Sequence, residues 1–474
     1  MSVRIGFVAV IRPLFKGHSP DAAERSRQGL LRLGRELGFE LMTPALAQDV
    51  THIATGTPLP AFAIHDQESA EHAAARLNDA DLDLLLVQHT TFATGELLAP
   101  LLRLPLPLAL WALPEAAGGR GEQGPLPLNS LCGVNMTVSF SGREPVGREL
   151  PVKWLYGEAD SSWFRSRLQP TLVALRALRA LRGASVLQIG GTAPHFYGLE
   201  EDPVVADVRV ERMALAELFD EVARVPAADA AALARDWRER EAVAVDQEQL
   251  ERAAALELAL GELVAGNGHA AVALRCWPEL PDRCATMACS TLARLGDGRV
   301  AAACEGDVMG AVSMLALQGA TGDGALLLDL SDLDDERGVL FWHCGNSPLS
   351  WAGESGALLA THFNRDGVGT VRDMVIRPGP ATGFRLLDGG RRALLFGGSF
   401  TGEVIGFDGV RGWLRDISWD GRALTPRRFL GNVLDQRVPH HFAFGSGDVS
   451  EGLRELCGWL GSAPLPAGPE RNTL

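Results

Sequence analysis

The chain lacks any excess of positive charge. It carries 44 Lys and Arg against 59 Asp and Glu, a formal net charge of −15. That balance argues against nucleic acid or an anionic membrane surface as the main partner. No apolar run reaches the roughly 18 uninterrupted residues of a membrane span. The start, Met1-Ser-Val-Arg-Ile-Gly-Phe, runs straight into an apolar strand instead of a basic segment, an apolar core and an Ala-x-Ala site, so no secretory signal is expected. Seven cysteines, an odd number and without a C-x-x-C pair, fit a reducing compartment, and the expected location is cytoplasmic. Cys276, Cys284, Cys289 and Cys304 lie close in sequence but read as free thiols and not as a zinc set. No G-x-G-x-x-G follows the first strand, so the dinucleotide fingerprint is missing as well.

What is present is an ordinary globular composition, 46% hydrophobic and 22% charged, over 474 residues. That length exceeds one core and predicts several domains. Apolar runs at Val3–Val10, Phe39–Met42, Asp83–Val87 and Leu108–Trp111 alternate with helical patterns at Ser19–Leu37, Gln67–Asn78 and Leu97–Leu102. Such alternation predicts a doubly wound parallel sheet. After the Gly-rich loop Ala116–Pro127 a second βα series begins, with a helix at Ser162–Leu181, strands at Ser185–Ile189, Val208–Glu211 and Ala270–Arg275, and a solvated Ala- and charge-rich helix at 227–241. Past Asp323, Gly, Thr and β-branched residues rise and helical periodicity fades through Val368–Val375, Gly383–Leu387, Arg392–Phe396 and Thr425–Leu430, which predicts an antiparallel or barrel-like sheet. The expected fold class is therefore α/β, with two successive doubly wound parallel-sheet domains at 1–157 and 158–325 and a β-rich C-terminal domain at 326–474.

Three polar clusters close predicted strands: Glu305-Gly306-Asp307, Asp329 with the acidic stretch Asp332–Glu336 behind it, and His343-Cys344-Gly345-Asn346. Pro439-His440-His441 adds a histidine pair near the end. A buried Glu at the end of an apolar strand costs several kcal/mol unless a positive group meets it. A Glu, an Asp and one or two His converging would suit Mn²⁺ or Mg²⁺ and accept Co²⁺. Spacing alone leaves open whether the carboxylates face solvent or a cation.

Read together, these motifs resemble the L-fucose/L-arabinose isomerase superfamily, in its shorter fucose-isomerase-like branch. The resemblance rests on Cys276-Trp277-Pro278, on Cys304-Glu305-Gly306-Asp307 with Gly310-Ala311 and Met314, and on Thr321-Gly322, Asp329 and His343-Cys344-Gly345 with Pro348. Gly379-Pro380, Arg385-Leu386 and His440-His441 extend it toward the C-terminus. It implies a Mn²⁺ site between the second and third domains, with Glu305, Asp329 and His441 as ligands and His343 as a further one. It also implies sugar contacts at His89, in His89-Thr90-Thr91-Phe92-Ala93, and at Asn129, and a homo-oligomer, trimer or hexamer. From the residues themselves, His195 after the Gly190-Gly191 strand end and the aromatic Trp154 are further candidates for contact with a sugar.

The chemistry implied is aldose–ketose isomerisation of a free neutral sugar through an enediolate. A divalent ion would stabilise that charge, and Glu305 and Asp329 would serve as base and conjugate acid. Two rivals use the same residues: a sugar-binding or sensory protein that keeps the fold without turnover, and another metal-dependent sugar enzyme such as an epimerase or lyase.

Overall fold

The apolar runs Leu84–His89 and Leu108–Ala112 become strands buried on both faces. The computed structural model describes residues 2–15, 17, 19–47, 49–115, 126–365 and 367–468. Most of the Gly-rich loop Ala116–Pro127, and the tail with Thr473 and Leu474, lie outside the described residues. The chain divides into two compact units, Met1–Leu175 and Arg176–Leu474. The division falls within the helix Ser162–Leu181, a little past the boundary expected after Gly157.

In the first unit a parallel sheet runs in the order Phe39–Met42, Val3–Val10, Leu84–His89, Leu108–Ala112 and Val152–Tyr156, with the short strand Ala63–Ile64 added to Val3–Val10. Val8, Val10, Leu85, Val87 and Leu110 supply one face of its core. The helix Gln67–Asn78 packs there through Ala70, Ala73, Ala74 and Leu77. Its start is fixed by Asp66, whose side chain accepts the Ser69 amide at 2.8 Å while the Ser69 hydroxyl reaches back to the Asp66 backbone.

Among the described residues the second unit holds two sheets. One is parallel, ordered Ala301–Cys304, Ala271–Leu274, Ser185–Ile189 and Arg209–Met213. The first two strands in sequence pair directly and the later two are added on the opposite side of Ser185–Ile189. Strand order therefore reverses there, and in such sheets ligands bind in the crevice beyond the carboxyl ends. The other sheet has eleven strands, mostly antiparallel, and its core is aromatic: Phe341, Phe396, Phe429, Phe442 and Phe444 pack edge to face or tilted around one another. The fold class is the expected α/β arrangement of two parallel sheets followed by a larger, mostly antiparallel one.

Two elements differ from expectation. The helix Ala227–Arg240 is not simply solvated: it buries Ala230, Ala234 and all of Trp237 against the helix Gln247–Gly266. Alanine and a lone Trp give a weak apolar stripe that charge-rich neighbours mask. The segment expected as a strand at Thr425–Leu430 is a helix, Pro426–Asp435, because Thr425 caps it and Pro426 presets its first turn.

Candidate active site

Glu305 stands directly beyond the strand Ala301–Cys304, and its backbone is left-handed at φ 60°. A non-glycine residue there costs of order 1–2 kcal/mol and persists only where its surroundings enforce it. Two contacts do so. Ala193 donates its amide to the Glu305 carbonyl at 2.9 Å, and Gln188 donates to the Gly306 carbonyl at 3.1 Å. Gly306 is itself left-handed at φ 74°, and a Cβ on it would lie 2.0 Å from the Gly191 carbonyl oxygen. The loop after Ser185–Ile189 thus clamps the turn and aims the Glu305 carboxylate outward.

Asp307 follows, fully buried, and starts the helix Val308–Thr321 by accepting the Gly310 amide at 2.8 Å. Its carboxylate also receives both terminal nitrogens of Arg385, at 2.5 and 2.9 Å, and Nδ1–H of His441 at 2.8 Å. Arg385 is equally buried, at 1% exposure, so this is an enclosed ion pair with its hydrogen bonds made. Burial pushes the Asp307 carboxyl up, but Arg385 and His441 outweigh it and hold the group well below the usual carboxylate range.

The other groups come from the larger sheet. Asp329, on the strand Leu326–Asp334, is paired in register with His441 on the antiparallel strand His441–Ser446. Residues opposed in this way project from the same face. Leu328 and Phe442, one position on, enter the aromatic core, so Asp329 and His441 face away from it. There His441 Nε2 lies 3.4 Å from Glu305 Oε2 and 3.7 Å from Asp329 Oδ1. The Glu305 oxygen accepts a hydrogen bond from His440 Nε2 at 3.0 Å. Burial alone would raise the Glu305 carboxyl, but the bond from His440 and the closeness of both histidine rings bring it below its ordinary value. Burial lowers His440, but its bond to Glu305 together with the charges of Asp329, Glu305 and Asp307 outweighs that, so its net direction is up.

His343 ends the strand Gly338–His343 with Nε2 3.0 Å from Cys304 Sγ, which in turn lies 3.8 Å from His441 Nε2. Burial and the Glu305 charge push the Cys304 thiol well above its ordinary pKa, so it stays protonated. The structure thus brings Glu305, Asp329, His441 and His343 into one cluster. His195 sits nearby: its loop is tied to Glu305, and Phe196 lies 5.6 Å from the His440 ring, while His195 itself is exposed and turned toward Tyr197.

The remaining candidates belong to the first unit. His89 is wholly buried at the end of Leu84–His89, its Nε2 3.0 Å from the Thr137 hydroxyl. Asn129 precedes the helix Ser130–Ser141 at φ 50°, and Trp154 is 45% exposed beneath the Arg167 guanidinium at 3.6 Å; the two line one cavity with Glu115 and Tyr156. In the sequence Arg385 and His440 stand out only as parts of motifs; the fold gives Arg385 its partner in Asp307 and His440 its partner in Glu305. The available signal for Arg385 was a lone cation inside the apolar run Gly383–Leu387.

The donor set fits a divalent cation. With Nδ1–H given to Asp307, a neutral His441 turns an Nε2 lone pair toward two carboxylates, and Asp329 Oδ1 is buried without a hydrogen bond. Three electron-pair donors facing one another need a positive charge between them. Glu, Asp and His are ligands that Mn²⁺ and Mg²⁺ accept. The combinations Glu305, His440, His441 and Cys304, His343, His441 also converge closely enough to hold an ion.

No protein-family model matches the chain. It is similar to curated proteins named sulfoquinovose isomerase. The protein from Priestia aryabhattai is 28% identical over 400 residues, covering 79% of this chain and 83% of the relative. That from Alkalicoccus urumqiensis is 27% identical over 392 residues, with 79% and 84% covered, and that from Clostridium sp. (strain MSTE9) 28% over 396 residues, with 80% and 84%. Among the described residues no helix is long and apolar enough to cross a membrane. Similarity to isomerases over this much of its length makes the chain an enzyme, an isomerase of the intramolecular-oxidoreductase class.

Proposed function

We propose that the chain is a metal-assisted ketol-isomerase that interconverts sulfoquinovose, a hexose with a sulfonate at C6, and the corresponding 2-ketose. The observation that carries the reading is the set of electron-pair donors on Glu305, Asp329 and His441 facing one another beyond the carboxyl end of a parallel strand. The similarity to named sulfoquinovose isomerases supplies the sugar.

Glu305, Asp329 and His441 would hold the cation. When bound, a divalent ion supplies Lewis-acid stabilisation for the charge of an enediolate. The rest of the work is done by side chains. One of the two carboxylates removes the proton from C2 of the aldose; the C2–H electron pair forms the C1–C2 double bond and the carbonyl pair moves onto O1. Return of a proton to C1, with transfer from O2 to O1, completes a reaction in which no atom is gained or lost. Glu305 Oε2 is already held by His440, so Asp329 is the proposed base, through the carboxylate oxygen that would not face the cation. His440 keeps Glu305 ionised and oriented toward His441. The resemblance adds a homo-oligomer, trimer or hexamer, which light scattering on purified protein tests.

The test is a sugar panel in D₂O with Mn²⁺ present. Sulfoquinovose should take up deuterium and yield the ketose, EDTA should stop the exchange, and Mn²⁺ should restore it. Exchange with glucose or fucose but not with sulfoquinovose would return the substrate to the neutral sugar expected from sequence. Mn²⁺ binding without exchange in any sugar would favour the sugar-binding rival. No metal binding, with Glu305→Gln behaving like the wild type, would remove the metal-assisted reading altogether.

A further inference from the structure

The two buried histidines of the site are hydrogen-bonded in opposite senses. A neutral imidazole has one N–H and one lone pair, and the hydrogen bond at one nitrogen decides the state of the other. His343 Nδ1 receives two backbone amides, Gly345 N at 3.1 Å and Asn346 N at 3.0 Å. Backbone amides always carry hydrogen, so this nitrogen must be the lone-pair side. The proton then sits on Nε2, 3.0 Å from Cys304 Sγ, which accepts it.

The turn that enforces this is rigid. Asn346 donates its side chain to the Ala302 carbonyl at 2.8 Å. Gly345 adopts φ 154°, and a Cβ there would lie 2.5 Å from the Val371 Cβ. His343-Cys344-Gly345-Asn346 is therefore built to receive the ring, and no lone pair of His343 is left to face the carboxylates.

His441 has the reverse arrangement. Its Nδ1 meets Asp307 Oδ2 at 2.8 Å. That carboxylate is an acceptor only, since both its oxygens already receive Arg385 and one also receives the Gly310 amide. Nδ1 must donate, so on a neutral ring Nε2 keeps its lone pair toward Glu305 and Asp329.

We propose that Asp307 and Arg385 are positioning residues that hold His441 in its Nδ1-protonated tautomer, and that the Gly345–Asn346 turn holds His343 in the Nε2-protonated one, so that His441 serves as a cation ligand and His343 does not. This rests on the metal-assisted reading above, and it reduces the protein ligands to Glu305, Asp329 and His441. Arg385 acts through Asp307 alone: it fixes the carboxylate plane and offsets its charge, so that the orienting acid adds no net charge to the ligand set. Carboxylate partners of this kind strengthen a histidine ligand, and their loss typically weakens metal binding about 10- to 100-fold.

The experiment begins with metal-free, full-length protein carrying ¹⁵N-labelled histidine, whose ring nitrogens report tautomers directly; His343→Asn and His441→Asn supply the assignments. Expected are a protonated Nδ1 and bare Nε2 for His441, and the converse for His343. Mn²⁺ titration by calorimetry follows. Asp307→Asn should weaken binding about 10- to 100-fold, while His343→Asn, whose amide oxygen can still receive both backbone amides, should leave it at the wild-type value. A bare Nδ1 on His441, a protonated Nδ1 on His343, or a tenfold loss in His343→Asn with none in Asp307→Asn would each overturn the proposal. Should the wild type bind no Mn²⁺, the metal-assisted reading fails and takes the ligand assignment with it, while the ring spectra, recorded without metal, still decide the positioning.

Discussion

Asp329 and His441 are opposed in register on neighbouring antiparallel strands, and their side chains meet on the face turned away from the aromatic core, Oδ1 3.7 Å from Nε2. Pairing across a sheet fixes this separation more firmly than a loop can, because moving either residue by one position would place its side chain among the phenylalanines. Asp329→Asn keeps the shape and removes the charge and the proton acceptor. Solvent-deuterium exchange into sulfoquinovose should fall by about 10² to 10⁴-fold, with the denaturation midpoint close to wild type. Exchange at an undiminished rate would take Asp329 out of the proposed base role.

Arg385→Met should be among the most destabilising substitutions in the second unit. It leaves the Asp307 carboxylate, 0% exposed, without its bidentate partner. Breaking one side of a buried pair costs about 3–5 kcal/mol, to be read from urea denaturation. Asp307 also sets a pH dependence: its folded pKa lies below the unfolded one, so its contribution is complete above the unfolded carboxylate range and is lost as pH falls through and below it. A loss under 1 kcal/mol in Arg385→Met would mean that other groups carry the Asp307 charge.

Gly310→Ala tests the same corner by volume. A Cβ at this position would stand 2.3 Å from Asp307 Oδ2 and 2.9 Å from an Arg385 nitrogen. Either the helix start or the ion pair must give way, at about 1–3 kcal/mol. Mn²⁺ affinity should fall along with stability, because the displaced carboxylate is the one that holds His441. Calorimetry showing wild-type Mn²⁺ affinity in Gly310→Ala would separate Asp307 from metal binding.

Much of this was legible in the sequence, for identifiable reasons. Strands such as Leu108–Ala112 and Ala271–Leu274 are continuous apolar runs, and burial on both faces gives them no other reading. Glu305 and Asp329 are visible because each follows such a run. The strand His441–Ser446 was not, since His-Phe-Ala-Phe-Gly-Ser is too short and mixed to declare a period, and its role depends on the partner Leu326–Asp334, more than a hundred residues earlier. Histidine tautomers lie further out of reach. Nothing in His343-Cys344-Gly345-Asn346 says which nitrogen the backbone will meet until the turn has been folded.

His89 gives the first unit an acid-sensitive point of its own. The ring is fully buried between the strand Leu84–His89 and the helix Ser130–Ser141, and burial lowers its pKa from 6.5 to about 4. The unfolded chain therefore takes up a proton below about pH 6.5 that the folded chain refuses until about pH 4. The stability contributed by His89 is whole above 6.5, declines as pH falls through that window, and levels off below it. The gap corresponds to about 3 kcal/mol. Hydrogen exchange of peptides covering Leu84–His89, measured between pH 7 and 4 and corrected for intrinsic rates, should show this loss of protection, and His89→Gln should flatten it. An equal slope in the variant would mean that another group governs the acid response of this unit.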